Sequence, residues 1–128
     1  MRRSLLLSAL MVLVVLPAMA QDPVKVDSKH YKVEMENTQV RVLRIQYGAH
    51  EKSVMHYHPA SVAVFLTDGD TKFTLADGKT TESHAKAGQV VWEPAGKHLP
   101  ENTGDKPLEI ILVELKGGRA PVKPAPTK

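Results

Sequence analysis

The chain has 128 residues, with 17 lysines and arginines against 14 aspartates and glutamates, and it has no cysteine. Without cysteine, thiol nucleophiles and cysteine-ligated zinc are excluded, so histidine and carboxylate remain as candidate metal ligands. Six of the 17 basic residues lie in positions 1–20 and 116–128, which leaves eleven basic against fourteen acidic residues between them. This mildly acidic body gives no indication of a nucleic-acid partner.

Residues 1–20 have the pattern of a secretory signal peptide. Two arginines precede an apolar stretch from residue 5 to residue 16, and a small-x-small cleavage pattern ends at Ala20. The stretch is shorter than the roughly 20 apolar residues that span a bilayer, which favours cleavage over a retained membrane anchor. We therefore expect an exported protein, periplasmic or secreted, with no membrane span after cleavage.

The segment 21–39 follows and is expected to supply an edge strand that closes a barrel or pairs with a partner chain. From residue 40 to residue 115, short runs rich in β-branched residues are separated by turn residues about every ten positions. This pattern predicts a single all-β domain, a barrel or a sandwich. Strands are predicted at residues 40–47, 61–67, 72–75, 80–86, 89–92 and 108–115. Residues 116–128 are rich in proline, glycine and basic side chains, and we expect a disordered tail.

Three histidines have a context that suggests a shared site. His56 and His58 are two positions apart, so a strand would place both side chains on one face. His98 follows a Pro-x-Gly turn and could approach them from another strand. Imidazole is the commonest protein ligand for transition metals, and the group is therefore a candidate metal site.

A pocket is predicted beside these histidines. If the strand continues regularly after His58, its parity places Val62, Val64 and Leu66 on the same face as an apolar wall. Trp92 is a further candidate wall residue, and Asn102 lies four positions beyond the third histidine. Ligands at the mouth of a small barrel, with apolar side chains below them, would form a small-molecule pocket.

Two stretches around these histidines resemble the two motifs of the cupin superfamily. The second motif, Gly, five residues, Pro-x-Gly, two residues, His, three residues, Asn, is matched from Gly88 to Asn102 with one residue fewer before His98. The first motif is matched more loosely by His56, His58 and Gly69, since Gly48 stands two positions too early. The resemblance covers roughly residues 40–115.

The resemblance implies a small single-domain cupin: an all-β jelly-roll barrel, with His56, His58 and His98 as ligands of a divalent transition metal. The family's first-motif glutamate would stand at position 62, where this chain has valine. The implied site therefore has three histidines, as in the thiol and diketone dioxygenases of the family. Iron, zinc, copper, manganese and nickel all suit such a set. The resemblance also implies a homodimer paired through edge strands or sheet faces.

Three functions stay open from the sequence. The first is a metal-dependent enzyme, such as an oxygenase, that acts on a small organic molecule. Its candidate acid–base residues are Glu101 and His50, although Glu101 could instead form a salt bridge to Arg41 or Arg44. The second is a non-catalytic module of the cell envelope that binds a small ligand or a metal. The third is a structural dimeric barrel. The missing glutamate also leaves open a site without metal, in which the three histidines line a small-molecule pocket or form a hydrogen-bonded cluster.

Overall fold

The computed structural model describes residues 21–117, and within this range it contains one short helix and nine strands. They are α1 (Pro23–Val26), β1 (Tyr31–Glu36), β2 (Val40–Tyr47), β3 (His56–His58), β4 (Ser61–Phe65), β5 (Gly69–Leu75), β6 (Thr80–Ala85), β7 (Val90–Glu93), β8 (Gly96–Asn102) and β9 (Leu108–Leu115). The predicted signal peptide and residues 118–128 of the predicted tail lie outside the described residues. Between residues 21 and 117, no helix is long and apolar enough to cross a membrane.

The strands form two antiparallel sheets. The five-stranded sheet has the order β1-β2-β9-β4-β7, and the four-stranded sheet has the order β3-β8-β5-β6. Strands that are distant in the sequence pair within each sheet, as β2 does with β9 over eight residue pairs. This arrangement confirms the predicted single all-β jelly-roll domain.

The core lies between the two sheets and is built mainly from one face of the five-stranded sheet. Buried and partly exposed residues alternate along β4 and β9, as expected for strands with one face toward a core. The strands of this sheet contribute nine of the buried apolar side chains on that face: Tyr31, Leu43, Ile45, Tyr47, Ala63, Phe65, Leu108, Ile110 and Leu112. Each of the larger ones contributes about 1.5–3 kcal/mol by its removal from water.

The segment before β2 lies along the edge of the five-stranded sheet. Asp22 caps α1, where its carboxylate accepts a hydrogen bond from the Val24 amide at 3.0 Å, and Pro23 occupies the first turn. Strand β1 then pairs with β2, with an irregularity between Val33 and Met35. Tyr31, at the start of β1, turns its side chain inward and is 1% exposed.

Two glycines of the motifs have identifiable structural reasons. At Gly69, a Cβ atom would come within 2.4 Å of Leu108 Cδ1, so a side chain there would displace a core residue. Gly88 adopts a φ of +85°, in the left-handed region that side chains other than glycine rarely adopt. Both positions therefore support the fold and do not contact the histidines.

Candidate metal centre

The four-stranded sheet brings the three histidines together. Strand β3 carries His56 and His58, and it pairs antiparallel with β8 so that His56 stands directly opposite His98. Residues opposite each other in such a pair project from the same face of the sheet. His56 and His58 are buried and His98 is half-buried. One ring nitrogen from each histidine lies within 4.8 Å of the other two, so the group could hold a metal ion.

In two of these histidines, the ring nitrogen that faces away from the group, Nδ1, makes a hydrogen bond that defines the tautomer. We call these two atoms the rear nitrogens. The Nδ1–H of His56 donates to the Val54 carbonyl oxygen at 2.7 Å, and the Nδ1–H of His58 donates to Glu114 Oε1 at 2.6 Å. In the neutral rings both Nε2 atoms are acceptors, and they face each other 3.0 Å apart. Two nitrogens that share an ion at ~2.1 Å lie roughly 3.0–3.4 Å apart. The pair therefore fits a shared cation, either a metal ion or a proton held in a hydrogen bond between the two rings.

A chain of charged side chains, of which Glu114 is buried, supports His58 from the five-stranded sheet. Glu114 on β9 is 2% exposed, and its second oxygen accepts a hydrogen bond from Arg41 Nε at 2.5 Å. Arg41 also donates to Asp22 at 2.8 Å. Burial alone would raise the pKa of Glu114, but hydrogen bonds from His58 and Arg41 hold that pKa below its usual value. Glu114 is therefore a carboxylate, as the donor role of the His58 Nδ1–H requires.

Burial keeps two of the histidines neutral. Burial, together with the neighbouring imidazoles of the group, lowers the pKa of His56 to about 4 and that of His98 to about 3. Metal ions bind the neutral imidazole, so proton competition at these two rings is weak at neutral pH. These two rings can therefore bind a cation without prior loss of a proton.

A second group of polar residues packs behind His56. The Tyr31 ring meets the His56 ring edge to face, with centroids 4.8 Å apart, and its hydroxyl lies 2.6 Å from the Tyr47 hydroxyl. The Ser53 hydroxyl donates to Asp27 at 2.5 Å and lies 3.4 Å from His56 Nδ1. Burial raises the pKa of both tyrosines, so both hydroxyls stay protonated. Residues of the segment before β2 thus contact the histidine group.

A cavity of about 260 Å³ opens beside the histidines. His58 and His98 lie in its wall, together with the carboxylate-bearing residue Glu93 at the end of β7. The rest of the lining is mostly apolar and comes from both sheets; it includes Ile45, Ala63, Phe65, Phe73, Leu75, Leu108, Ile110 and Leu112. The arrangement suits a small, mainly apolar molecule with a polar end near the histidines.

The predicted apolar wall is wrong. Val62, Val64, Leu66 and Trp92 do not line the cavity, and the last two are 42% and 57% exposed. The chain passes from the four-stranded sheet to the five-stranded sheet between His58 and β4. This crossing shifts the alternation of inward and outward side chains by one residue. Ser61, Ala63 and Phe65 are therefore the inward residues of β4, and the valines between them face outward.

Asn102 is buried, but it does not line the cavity. Its side-chain amide donates to the carbonyl oxygens of Gly48 at 2.9 Å and Lys106 at 2.8 Å, and its oxygen accepts from the Gly104 amide at 3.1 Å. Asn102 thus joins the loop after β2 to the turn after β8. The motif asparagine has a structural role here.

The two candidate acid–base residues also lie outside the cavity lining. Glu101 pairs with Lys72 at 3.0 Å, so the expected alternative of a salt bridge to Arg41 or Arg44 names the wrong partners. His50 is 63% exposed and contacts Asp105 at 2.7 Å. Neither side chain is placed to act on a molecule bound beside the three histidines.

Two glutamates near the site were missed from the sequence. Glu114 shares the parity of Leu108, Ile110 and Leu112, and a carboxylate on the buried face of an apolar strand is a signal that could have found it. Glu93 shares the parity of Val91, which packs against the core. Its inward direction depends on the pairing of β7 with β4, which the sequence does not show.

Comparisons with known proteins agree with this geometry. The family model described as a cupin domain matches residues 41–114. A sequence search finds no match among curated proteins. Among solved structures, a cupin domain from Bordetella pertussis Tohama I is similar, with a TM-score of 0.63 and 22% identity over 68% of this chain and 92% of that one.

Two further structures extend the similarity. An RmlC-like cupin family protein from Methanocaldococcus jannaschii has a TM-score of 0.55 and 24% identity over 70% of this chain and 84% of that one. A conserved protein with a double-stranded β-helix domain from Klebsiella pneumoniae has a TM-score of 0.55 and 17% identity over 91% of this chain and 95% of that one. At these identities the similarity concerns the fold alone. The family model covers more than half of the residues of this chain, and the chain therefore belongs to the cupin family.

Proposed function

We propose that this cupin binds one divalent transition metal ion through His56, His58 and His98 and acts on a small organic molecule in the adjoining cavity. The observation that carries the proposal is the convergence of two acceptor nitrogens, His56 Nε2 and His58 Nε2, at 3.0 Å. Their rear nitrogens are both engaged as donors, so in the neutral rings both Nε2 lone pairs point toward a shared cation.

Three imidazoles, which bind a metal ion in their neutral form, define what a bound ion would supply. They leave the full charge of a divalent cation, which acts as a Lewis acid with positions open to water or substrate, and iron or copper would add redox chemistry of the oxygenase type. The protein contributes the fixed ring orientations and the apolar wall, which excludes water from one side of the site. All the nitrogen-preferring metals named above suit this set.

A non-catalytic role in binding a small ligand is the second candidate. It is favoured by the scarcity of acid–base groups: among the described residues that line the cavity, Glu93 is the one acid. Metal-dependent turnover separates the two. A centre with stoichiometric iron or copper favours redox catalysis, whereas a metal-free protein that still binds small molecules favours the binding module.

The metal proposal is tested by elemental analysis of protein purified without a histidine tag. We expect about one equivalent of a transition metal, and its loss in His56→Ala and His98→Ala. His84→Ala is the matched control, because His84 is 63% exposed on β6 and lies outside the histidine group. Metal content that persists at the wild-type level in both site variants would overturn the proposal.

We also propose that the protein works in the cell envelope as a homodimer. The signal-peptide pattern of residues 1–20 supports export. Val33 and Met35, which are 43% and 49% exposed on the edge strand β1, support pairing through this edge. Cell fractionation tests the location, and light scattering coupled to gel filtration tests the dimer. Met35→Lys should then shift the mass to that of a monomer.

A further inference from the structure

Glu93 projects into the barrel from the end of β7. In the antiparallel pair of β7 and β4, Glu93 stands opposite Ser61, and Val91 stands opposite Ala63. Opposite residues share a face, and Ser61 and Ala63 are the buried, inward residues of β4. The Glu93 side chain therefore lies on the cavity side, in the same lining as His58 and His98.

The Glu93 carboxylate is not engaged by the protein. Within residues 21–117 it has no hydrogen-bond or ion-pair partner, whereas the buried Glu114 receives hydrogen bonds from both His58 and Arg41. Glu93 also lies outside the group of residues whose donor atoms converge within 4.8 Å. It is thus placed to meet a molecule in the cavity and not to complete the three-histidine ligand set.

The surroundings of Glu93 favour a ligand with a positive or N–H-donating end. The lining near it is apolar apart from two imidazoles and a few hydroxyls, and burial raises the pKa of Glu93 although the charge interaction with His58 opposes this shift. Lys97 also borders the cavity, but it alternates with His98 on β8, stands opposite Tyr57 and is exposed. A carboxylate in such a setting gains most from a charge-assisted hydrogen bond.

The cavity volume limits the size of that ligand. At ~30 Å³ for each water-sized unit, a volume of about 260 Å³ admits a molecule of roughly nine non-hydrogen atoms. A single ring or a short branched chain with one polar substituent has this size. Larger molecules would have to extend through the mouth of the cavity.

We infer that Glu93 is the anchor of a substrate-binding site for a small primary amine with a compact apolar body. The ammonium group would donate to the Glu93 carboxylate, and the apolar body would lie against the wall formed by residues such as Phe65 and Phe73. This inference deepens the proposed function and rests on it for the role of the metal. The amine-binding step itself needs only the cavity and Glu93.

Benzylammonium is a suitable probe, because it combines one ring with one ammonium group and has eight non-hydrogen atoms. Benzyl alcohol has the same size without the charge, and benzoate carries the opposite charge. Calorimetric titration at neutral pH should show that benzylammonium binds at least about tenfold more tightly than benzyl alcohol, with benzoate weakest. Equal affinities for the three probes, or no binding of benzylammonium, would overturn the inference.

Glu93→Gln keeps the shape of the side chain and removes its charge. We expect this variant to lose the preference for benzylammonium and to bind benzyl alcohol within twofold of the wild type. Glu82→Gln is the matched control, since it makes the same change of charge at an exposed position on β6. A preference that survives in Glu93→Gln, or that falls equally in Glu82→Gln, would show that Glu93 is not the anchor.

The titrations are run on metal-loaded and on chelator-treated protein, so that the two proposals can fail separately. Metal binding without a Glu93-dependent preference for the amine overturns the anchor and leaves the metal centre intact. A Glu93-dependent preference in protein that takes up no metal supports the anchor and overturns the metal centre. A preference that appears only with bound metal and persists in Glu93→Gln assigns the amine to the ion and overturns the anchor.

Discussion

The two sheets contribute different parts of the candidate metal centre. The four-stranded sheet supplies the ligands, because all three histidines lie on β3 and β8. The five-stranded sheet supplies the support, because Glu114 on β9 and Arg41 on β2 hold His58 from behind. His98 differs from His58 in this respect: within the described residues it has ring contacts with His56, His58 and Phe73 but no hydrogen bond from its side chain.

This difference shows that the carboxylate hydrogen-bonded to the histidine group supports a ring and does not stand among the candidate ligands. The position counted from the first motif holds Val62, which faces outward, and the inward neighbour is Ala63, so neither offers an oxygen. The carboxylate nearest to the ligands' rear nitrogens is Glu114, which accepts from His58 Nδ1. A carboxylate behind an imidazole raises its basicity as a ligand and fixes its orientation. Negative charge thus acts on the centre through His58.

The largest effect is expected on metal affinity, from Glu114→Gln, because this change breaks the hydrogen-bonded link between the two sheets. An amide cannot accept from both His58 and Arg41 as the carboxylate does, so His58 loses its fixed tautomer. We expect metal affinity to fall by about 10–100-fold, the usual range for a residue that orients a ligand. Competition with a chromophoric chelator measures this.

Glu109→Gln is the control on the same strand, since Glu109 is partly exposed and pairs with Arg44 away from the histidines. It should leave metal affinity within twofold. An equal loss in both variants would mean that the effect comes from general destabilisation of β9 and not from the orientation of His58.

A smaller effect is expected on the free energy of unfolding of metal-free protein, which should depend on pH. The unfolded chain binds protons at the ordinary histidine pKa near 6.5, but the folded protein protonates His56 only near pH 4 and His98 only near pH 3. Between about pH 4 and 6.5 the unfolded state therefore binds more protons, and stability rises with pH. Urea unfolding in the presence of a chelator measures the slope.

His98→Gln removes one of these two titrating groups and so measures its share of the slope. The variant should show a slope that is lower by up to one proton, or ~1.4 kcal/mol for each pH unit, in the same window. Measurement at pH 7–8, where the unfolded chain has released these protons, gives the part of the change that does not depend on pH. An unchanged slope would show that His98 titrates alike in both states.

The smallest effect is expected from Trp92→Ala, on the outer face of the five-stranded sheet. Trp92 pairs with Val62 in the sheet register and is 57% exposed, so its loss creates no internal cavity. We expect a change in unfolding free energy below about 1 kcal/mol and no change in metal or benzylammonium affinity. A marked loss of ligand affinity would mean that the aromatic ring reaches the cavity mouth in solution.

The sequence by itself determined the fold class and the three candidate ligands. Alternation and turn spacing depend on neighbouring residues, so the strands near residues 40–47 and 108–115 were predicted close to their observed bounds. The pair His56 and His58 needed only the two-residue period of a strand, and His98 needed the motif around Gly88. These features are local, which is why they are visible in one sequence.

Only the tertiary structure decided which side chains surround the ligands. The chain crosses between sheets at Pro59 and Ala60, and this crossing reversed the expected parity of β4 and moved the pocket wall from Val62 to Ala63. Glu114 is 56 residues from His58 in the sequence, and Glu93 becomes inward only through its pairing with Ser61. Contacts of this kind depend on strand pairing across long sequence distances, which local periodicity does not contain.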